Sequence, residues 1–172
     1  MPEAAANEAP QKNAADMTRE AVMDKGYAWK HVTEIDETQM EAVYALAYRH
    51  FNHGQYAKAE QLFKFLYSLD HYDSRFPIGL GAARQKQQKY NDAVNAYSAA
   101  AGIDIENPVP PLRSAECYMA QQDYELAKKA AKAAIYWAEG KPEHQKTRAR
   151  ADLILKGIEA RRQKEKAKAL KK

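Results

Sequence analysis

Asp70, His71, Asp73 and Ser74 lie within five residues of one another and carry every side-chain type of a hydrolytic triad. A triad works because three side chains from separate elements converge beside an oxyanion hole. A contiguous run of chain cannot fold its own side chains into that arrangement. The same letters describe a turn, with Asp73 or Ser74 capping the helix that follows. His50 and His53 stand three apart, a spacing found in metal sites, yet no cysteine or acidic pair is placed to complete a coordination shell. Cys117, the single cysteine, has no base partner and falls inside a predicted helix, where it reads as a small buried hydrophobe rather than a nucleophile. No glycine-rich phosphate loop is present. These residues therefore predict no catalytic site, no metal and no cofactor, and the function has to rest on a surface.

The elements that carry this surface repeat at an offset of 34. Tyr56, Tyr90 and Tyr124 fall in one column, Ala59, Ala93 and Ala127 in a second, and Ala47, Gly81 and Ala115 in a third. Softer columns run through Leu46 and Leu80, Phe63 and Tyr97, Leu66, Ala100 and Ala134, and Leu69, Ile103 and Trp137. Small residues at the eighth and twentieth places with an aromatic at the seventeenth make the tetratricopeptide pattern, a helix-turn-helix unit. The small residues mark where the two antiparallel helices of a unit cross, and a larger side chain there would overpack the crossing by roughly 1 to 3 kcal/mol. Tyr56, Tyr90 and Tyr124 start the second helices and are expected in the core. The predicted fold is all-α, with three such repeats, an N-terminal helix and a C-terminal capping helix forming an α-solenoid.

Local signals place the boundaries. Asp36 with Gln39 forms a capping box that starts a helix at Glu37, running to about Asn52, and Gly54 turns the chain. Further helices are expected over about 56–69, 75–87, 90–103, 109–121 and 124–138. Pro77 sits in a first turn where its missing N–H costs little, Asn107 and the prolines after it open the third pair, and Gly140 and Pro142 close it. The three repeats span about 40–73, 74–107 and 108–141 within residues 36–141. Residues 1–15, Ala-rich and without apolar period, are expected to be disordered. Residues 16–35 form a weak helical region in which Tyr27 and Trp29 should anchor against another surface, a second subunit being the first candidate. Residues 142–160 supply the capping helix through Ala151, Ile154, Leu155 and Ile158, because the end of a repeat stack must cover its last face. Residues 161–172 form a basic tail, expected to be a solvated, fraying helix end.

The chain has 172 residues, 45% apolar and 29% charged, as an ordinary soluble domain with tails would be. Its formal charge of +4 arises in the tail, where seven basic residues and Glu165 put +6 on the last twelve positions and leave −2 elsewhere. The basicity therefore belongs to a tail, not to the repeat surface, and argues only weakly for an acidic or nucleic-acid partner, so none is expected. No signal-peptide pattern and no apolar run of spanning length is present, so membrane insertion is not expected and a cytoplasmic location is. One helical cysteine excludes an intramolecular disulfide and fits a reducing compartment.

Stacked helix pairs curve, and the first helix of each pair lines the concave side through its second, fifth, ninth and twelfth places. These are Glu41, Tyr44, Tyr48 and Phe51, then Arg75, Ile78, Ala82 and Gln85, then Val109, Leu112, Glu116 and Met119. Val43, Leu46 and Ala47 already supply the core face of the first helix, so the aromatic stripe Tyr44, Tyr48, Phe51 requires another partner. A bound peptide is the first reading, and packing against residues 16–31 the alternative. The carboxylate clamp of heat-shock co-chaperones, with Lys and Asn at the fifth and ninth places, is absent, since Tyr44, Tyr48, Gly79 and Val109 stand there and only Arg113 agrees.

The run Leu69-Asp70-His71-Tyr72-Asp73-Ser74-Arg75-Phe76, with Gly79-Leu80-Gly81-Ala82 and Ala115-Glu116-Cys117, closely resembles the class II chaperones of bacterial type III secretion, the LcrH/SycD family with its IpgC-like members. The resemblance covers residues 16–140. It implies a cytosolic chaperone that holds hydrophobic translocator proteins before export by binding a short Pro-x-Leu-x-x-Pro segment, extended, in the concave groove. Positions matching Tyr44, Tyr48 and Phe51 contribute to that groove in relatives. Many relatives dimerise through the N-terminal helical region, and some take part in regulating secretion genes. A general tetratricopeptide scaffold without chaperone activity is the competing reading.

Overall fold

The computed structural model describes residues 35–170. Seven α-helices follow one another: α1 Glu37–Asn52, α2 Tyr56–Leu69, α3 Arg75–Lys86, α4 Tyr90–Ile103, α5 Val109–Ala120, α6 Tyr124–Ala138 and α7 Gln145–Ala169, with a 3₁₀ turn at Pro142–His144 before the last. No strand occurs among the described residues. The predicted boundaries agree to within two residues for every helix through α6, and several ends are held by a local device the sequence displays. Asp36 accepts the N–H of Gln39 at 2.7 Å while Gln39 accepts that of Asp36 at 3.1 Å, a complete capping box. Between the predicted capping residues Asp73 and Ser74, the structure chooses Asp73, whose carboxylate takes the N–H of Arg75 at 2.9 Å. Asn107, 34 residues on, does the same for the N–H of Val109 at 2.9 Å.

Within each hairpin the turn uses one left-handed residue. Gly54, Gln88 and Gln122 have φ of 73°, 62° and 63° and stand 34 apart. The same two backbone bonds close each helix: in the second hairpin Gln88 N–H donates to Gln85 O and Lys89 N–H to Arg84 O, each at 3.0 Å. Only the first turn carries the glycine that such a conformation favours.

The small columns lie where the helices cross, with Ala47, Ala59, Ala93, Ala115 and Ala127 fully buried. In the second repeat a ring fills the crossing. A Cβ on Gly81 would stand 2.6 Å from Tyr97 Cε1, and one on Gly79 2.5 Å from Phe63 Cε1, so both positions are kept open for fully buried aromatic rings. The tyrosine column is only half-buried: Tyr56 meets Phe51 edge-on at 5.3 Å, and Tyr124 lies under the Arg161 guanidinium at 4.5 Å. These rings flank the open hairpin turns, which leave one side to solvent, so they border the core, Tyr90 packing on Ala93, Tyr97 and Cys117, and are not enclosed by it.

Neighbouring repeats are tied through Glu60 on α2. It accepts from Arg84 at 3.0 Å, Gln87 at 2.8 Å and Lys89 at 2.9 Å, reaching α3 and the turn after it. Partial burial alone would push this carboxyl up, but the hydrogen bonds from Lys89, Arg84 and Gln87 outweigh it and hold it at about 2.

Helix α7 covers the last repeat, with Ala151 fully buried and Ile154 and Leu155 packed on Leu112, Ala131 and Ala134. It continues as regular helix through the basic run to Ala169, with residues 159–170 all exposed. Residues 1–34, with Tyr27 and Trp29, and residues 171 and 172 lie outside the described residues. No helix among the described residues is long and apolar enough to cross a membrane.

Candidate functional site: a groove across the first helices

The first helices α1, α3 and α5 lie side by side, and their predicted places form one surface. At the α1 end the aromatic stripe is a packed cluster. Tyr44 meets Tyr48 at 4.9 Å, Phe63 at 6.0 Å and Phe76 at 5.8 Å, while Tyr48 meets Phe63 at 5.4 Å and Phe51 at 6.5 Å. Such edge-to-face rings hold one another in place. Tyr44 is half-buried and its hydroxyl pKa is raised, first by burial and then by its bond with Tyr48. Tyr48 is 37% exposed, so the cluster presents one aromatic face to solvent. Arg75 roofs its edge: the guanidinium stands 4.9 Å over the Tyr44 ring and bonds Glu41 and Asp73, each at 2.6 Å. Those two partners raise its pKa further.

From Phe51 a cleft of about 470 Å³ crosses the stack, lined by Ala82, Gln85, Lys86, Tyr90, Arg113, Glu116, Ala120 and Arg150. Its floor is an ordered polar chain. The buried Tyr97 hydroxyl donates to Gln85 Oε1 at 2.8 Å, Gln85 Nε2 donates to Glu116 Oε2 at 3.3 Å, and Arg113 donates to the same oxygen at 3.1 Å. The other oxygen, Glu116 Oε1, meets Arg150 Nε at 2.6 Å, close enough for an ion pair although no donor is aligned on it for a hydrogen bond. A second cleft of about 370 Å³ adjoins through Glu116 and Arg150 and adds Met119, Leu153, Ile154 and Gly157.

Of the predicted groove residues, the structure brings Phe51, Ala82, Gln85 and Glu116 into one cleft and Met119 into its neighbour, with Tyr44 and Tyr48 at the head. Ile78 is half-buried on the intervening face. Leu112 is not open to a ligand, being 5% exposed in the core cluster that α7 closes. Arg150 and Leu153 were not foreseen as groove residues because they come from the capping helix. A signal for them existed: the offset of 34 carries Tyr48, Ala82 and Glu116 on to Arg150, carries Phe51, Gln85 and Met119 on to Leu153, and carries Ala83 and Cys117 on to Ala151. Helix α7 therefore stands as the first helix of a fourth, unfinished unit.

The residues first weighed for chemistry hold structural posts. Asp70 accepts the N–H of Tyr72 at 3.0 Å, and the His71 and Tyr72 rings meet tilted, their centres 4.2 Å apart. His50 Nδ1 is 2.6 Å from Gln55 Oε1, and His53 Nδ1 2.6 Å from the carbonyl of Arg49. Cys117 is fully buried; burial, with Glu116 beside it and Arg113 opposing, pushes its thiol up to about 12. A larger cleft, of about 570 Å³, lies away from this surface between the third hairpin turn and the charged stretch of α7 around Arg161.

Comparison with known proteins agrees with this architecture. Tetratricopeptide-repeat family models match residues 40–73 and 85–151. The low calcium response locus protein H of Yersinia pseudotuberculosis is 34% identical over 153 residues, covering 87% of this chain and 89% of that protein. Among solved structures, the Yersinia enterocolitica type III secretion chaperone SycD in complex with a peptide of the translocator YopD superposes with a TM-score of 0.72 at 35% identity, covering 76% of this chain and 99% of that one. A type III secretion complex from Aeromonas hydrophila gives a TM-score of 0.79 at 30% identity, covering 84% and 96%.

Proposed function

As the chain belongs to the family of type III secretion translocator chaperones that includes the low calcium response locus protein H and SycD, we propose that it holds a hydrophobic translocator before secretion and has no enzymatic activity of its own. It works in the cytoplasm and takes an extended Pro-x-Leu-x-x-Pro-type segment of its client across the first helices. The observation that carries this reading is the ring cluster of Tyr44, Tyr48 and Phe51, which leaves Tyr48 exposed at the head of a cleft crossing three repeats. A relative with 35% identity binds a translocator peptide, and SycD forms dimers in its structures. A homodimer built through residues 16–35 is the matching state here.

The binding energy comes from desolvating apolar anchors, which act at short range and respond weakly to salt, whereas a complex held by the Arg161–Lys172 run would weaken steeply as counterions return. The test is a titration of a translocator segment at two salt concentrations. The proteins compared are wild type, a Tyr48→Ala/Phe51→Ala variant and a chain ending at Ala160. The double variant should lose at least about thirtyfold, since even one truncated aromatic hot spot costs about 2 kcal/mol or more, and the shortened chain should bind as wild type. Undiminished binding by a folded double variant would refute the groove, and loss in the shortened chain alone would move the activity to the tail.

A further inference from the structure

The groove changes character along its length. Its α1 end is aromatic, and beyond it the cleft is lined by Lys86 at the end of α3, Arg113 on α5 and Arg150 on α7 against the single carboxylate Glu116. Glu116 is already shared by Arg113 and Arg150, so this end keeps a surplus of positive charge. Arg150 places its Nε 2.6 Å from Glu116 Oε1 as an ion pair without an aligned hydrogen bond, and its side chain remains 60% exposed. A guanidinium has five N–H donors, so Arg150 can serve Glu116 and a second carboxylate together. Glu116 also fixes its direction, which lowers the entropy lost when a ligand is bound. Arg150 is on the ninth-place column that starts at Tyr48, so an extended chain lying over the aromatic cluster and continuing along the stack passes beside it.

We propose that the groove has a cationic subsite at Arg150 and Arg113 that selects client segments with an acidic side chain beyond the apolar anchors. The subsite rests on the peptide-groove reading and adds a charge requirement to it. Apolar anchors set which stretch can lie in the groove, and the carboxylate sets its direction and register, because only one orientation brings it from the aromatic head to the α7 end.

The experiment uses a set of synthetic translocator segments with unchanged apolar anchors and a single Glu, or its neutral counterpart Gln, at each flanking position in turn. Binding to the full chain is measured at low and high salt, and the readout is the Glu-to-Gln affinity ratio on each protein, so a general loss cancels. Wild type should favour Glu by about three- to tenfold at one end of the segment only, with the preference shrinking at high salt. Arg150→Gln should bring the ratio close to one, Arg150→Glu should invert it, and Arg150→Lys should restore part of it. Arg148→Gln, on an exposed residue of the same helix outside both clefts, should keep the wild-type ratio. A ratio near one at every position in wild type, or one that survives Arg150→Glu, overturns the subsite while leaving the groove standing. If no segment binds wild type at all, the groove reading falls and the subsite falls with it.

Discussion

Adding one methyl group to Gly79 or Gly81 sets two known effects against each other. Ala is favoured over Gly inside a helix by about 1 kcal/mol, and both residues are within α3. Against this, the new Cβ would stand 2.5 to 2.7 Å from three atoms of the Phe63 ring at position 79, and 2.6 to 2.9 Å from three atoms of the Tyr97 ring at position 81. Carbon atoms prefer about 3.5 to 4.0 Å, so the ring must move by about 1 Å. Neither ring has room to: both are fully buried, Phe63 lies against Tyr44 and Tyr48, and the Tyr97 hydroxyl is held by Gln85. Overpacking of this kind costs about 1 to 3 kcal/mol, and with the rings so confined the upper half of that range applies. The expected net result is destabilisation by about 1 to 2 kcal/mol for either variant. Gly157→Ala provides the contrast, since nothing lies within 4 Å of its Cβ position on α7, and it should stabilise by about 0.5 to 1 kcal/mol. Urea unfolding followed by circular dichroism measures all three. Because Phe63 supports Tyr44 and Tyr48, Gly79→Ala should also weaken segment binding at concentrations where the protein is folded. Stabilisation by Gly79→Ala and Gly81→Ala like that of Gly157→Ala would refute the claim that these rings are held.

Two further outcomes follow from titrating groups. The Glu60 carboxyl is held at about 2 against an ordinary 4.5, so its contribution, of order 1 to 3 kcal/mol, is complete above about pH 4.5 and disappears as the pH falls towards 2. Unfolding of Glu60→Gln should show a flatter pH dependence across that window, and an unchanged slope would assign the acid sensitivity elsewhere. Cys117, buried and with its thiol pushed up to about 12, should resist iodoacetamide at pH 8 until the chain unfolds; modification at the rate of a free thiol would contradict its burial.

The repeat architecture was legible because its determinants are local and periodic. Caps such as Asp36 and small residues such as Ala59 act within one or two turns and recur at a fixed offset. The left-handed turn residues Gln88 and Gln122 were not legible, since nothing in a glutamine marks that conformation, and only their alignment with Gly54 does. Helix α7 runs past Ala160 because Arg, Gln, Lys, Glu and Ala are all strong helix formers, whereas the vanished apolar face suggested fraying. The arrangement of this surface was legible where helices adjacent in sequence supply it, as at Tyr44 and Tyr48, which pack on Phe63 of α2 and, for Tyr44, on Phe76 of α3. At its far end the register of complete repeats could not tell that an unfinished unit would fold over Leu112 and bring Arg150 in its place, because that depends on packing between α7 and its neighbours.

The order of contacts along the groove bears on how a client is released. The head cluster, then Ala82 and Gln85, then Arg113 and Glu116 come from the first helices of successive repeats, so an extended client bound as proposed would meet them in series. A pull on one end of such a client loads a single contact at a time, and each gives way before the next bears tension. A complex can thus be long-lived at rest, when every contact must fail together, and yet peel apart under a modest force applied to the client's terminus. The rings at the head of the groove, Tyr44 and Tyr48, are braced by the buried Phe63, so peeling of a client bound as proposed would leave the chain's own fold intact and ready for another.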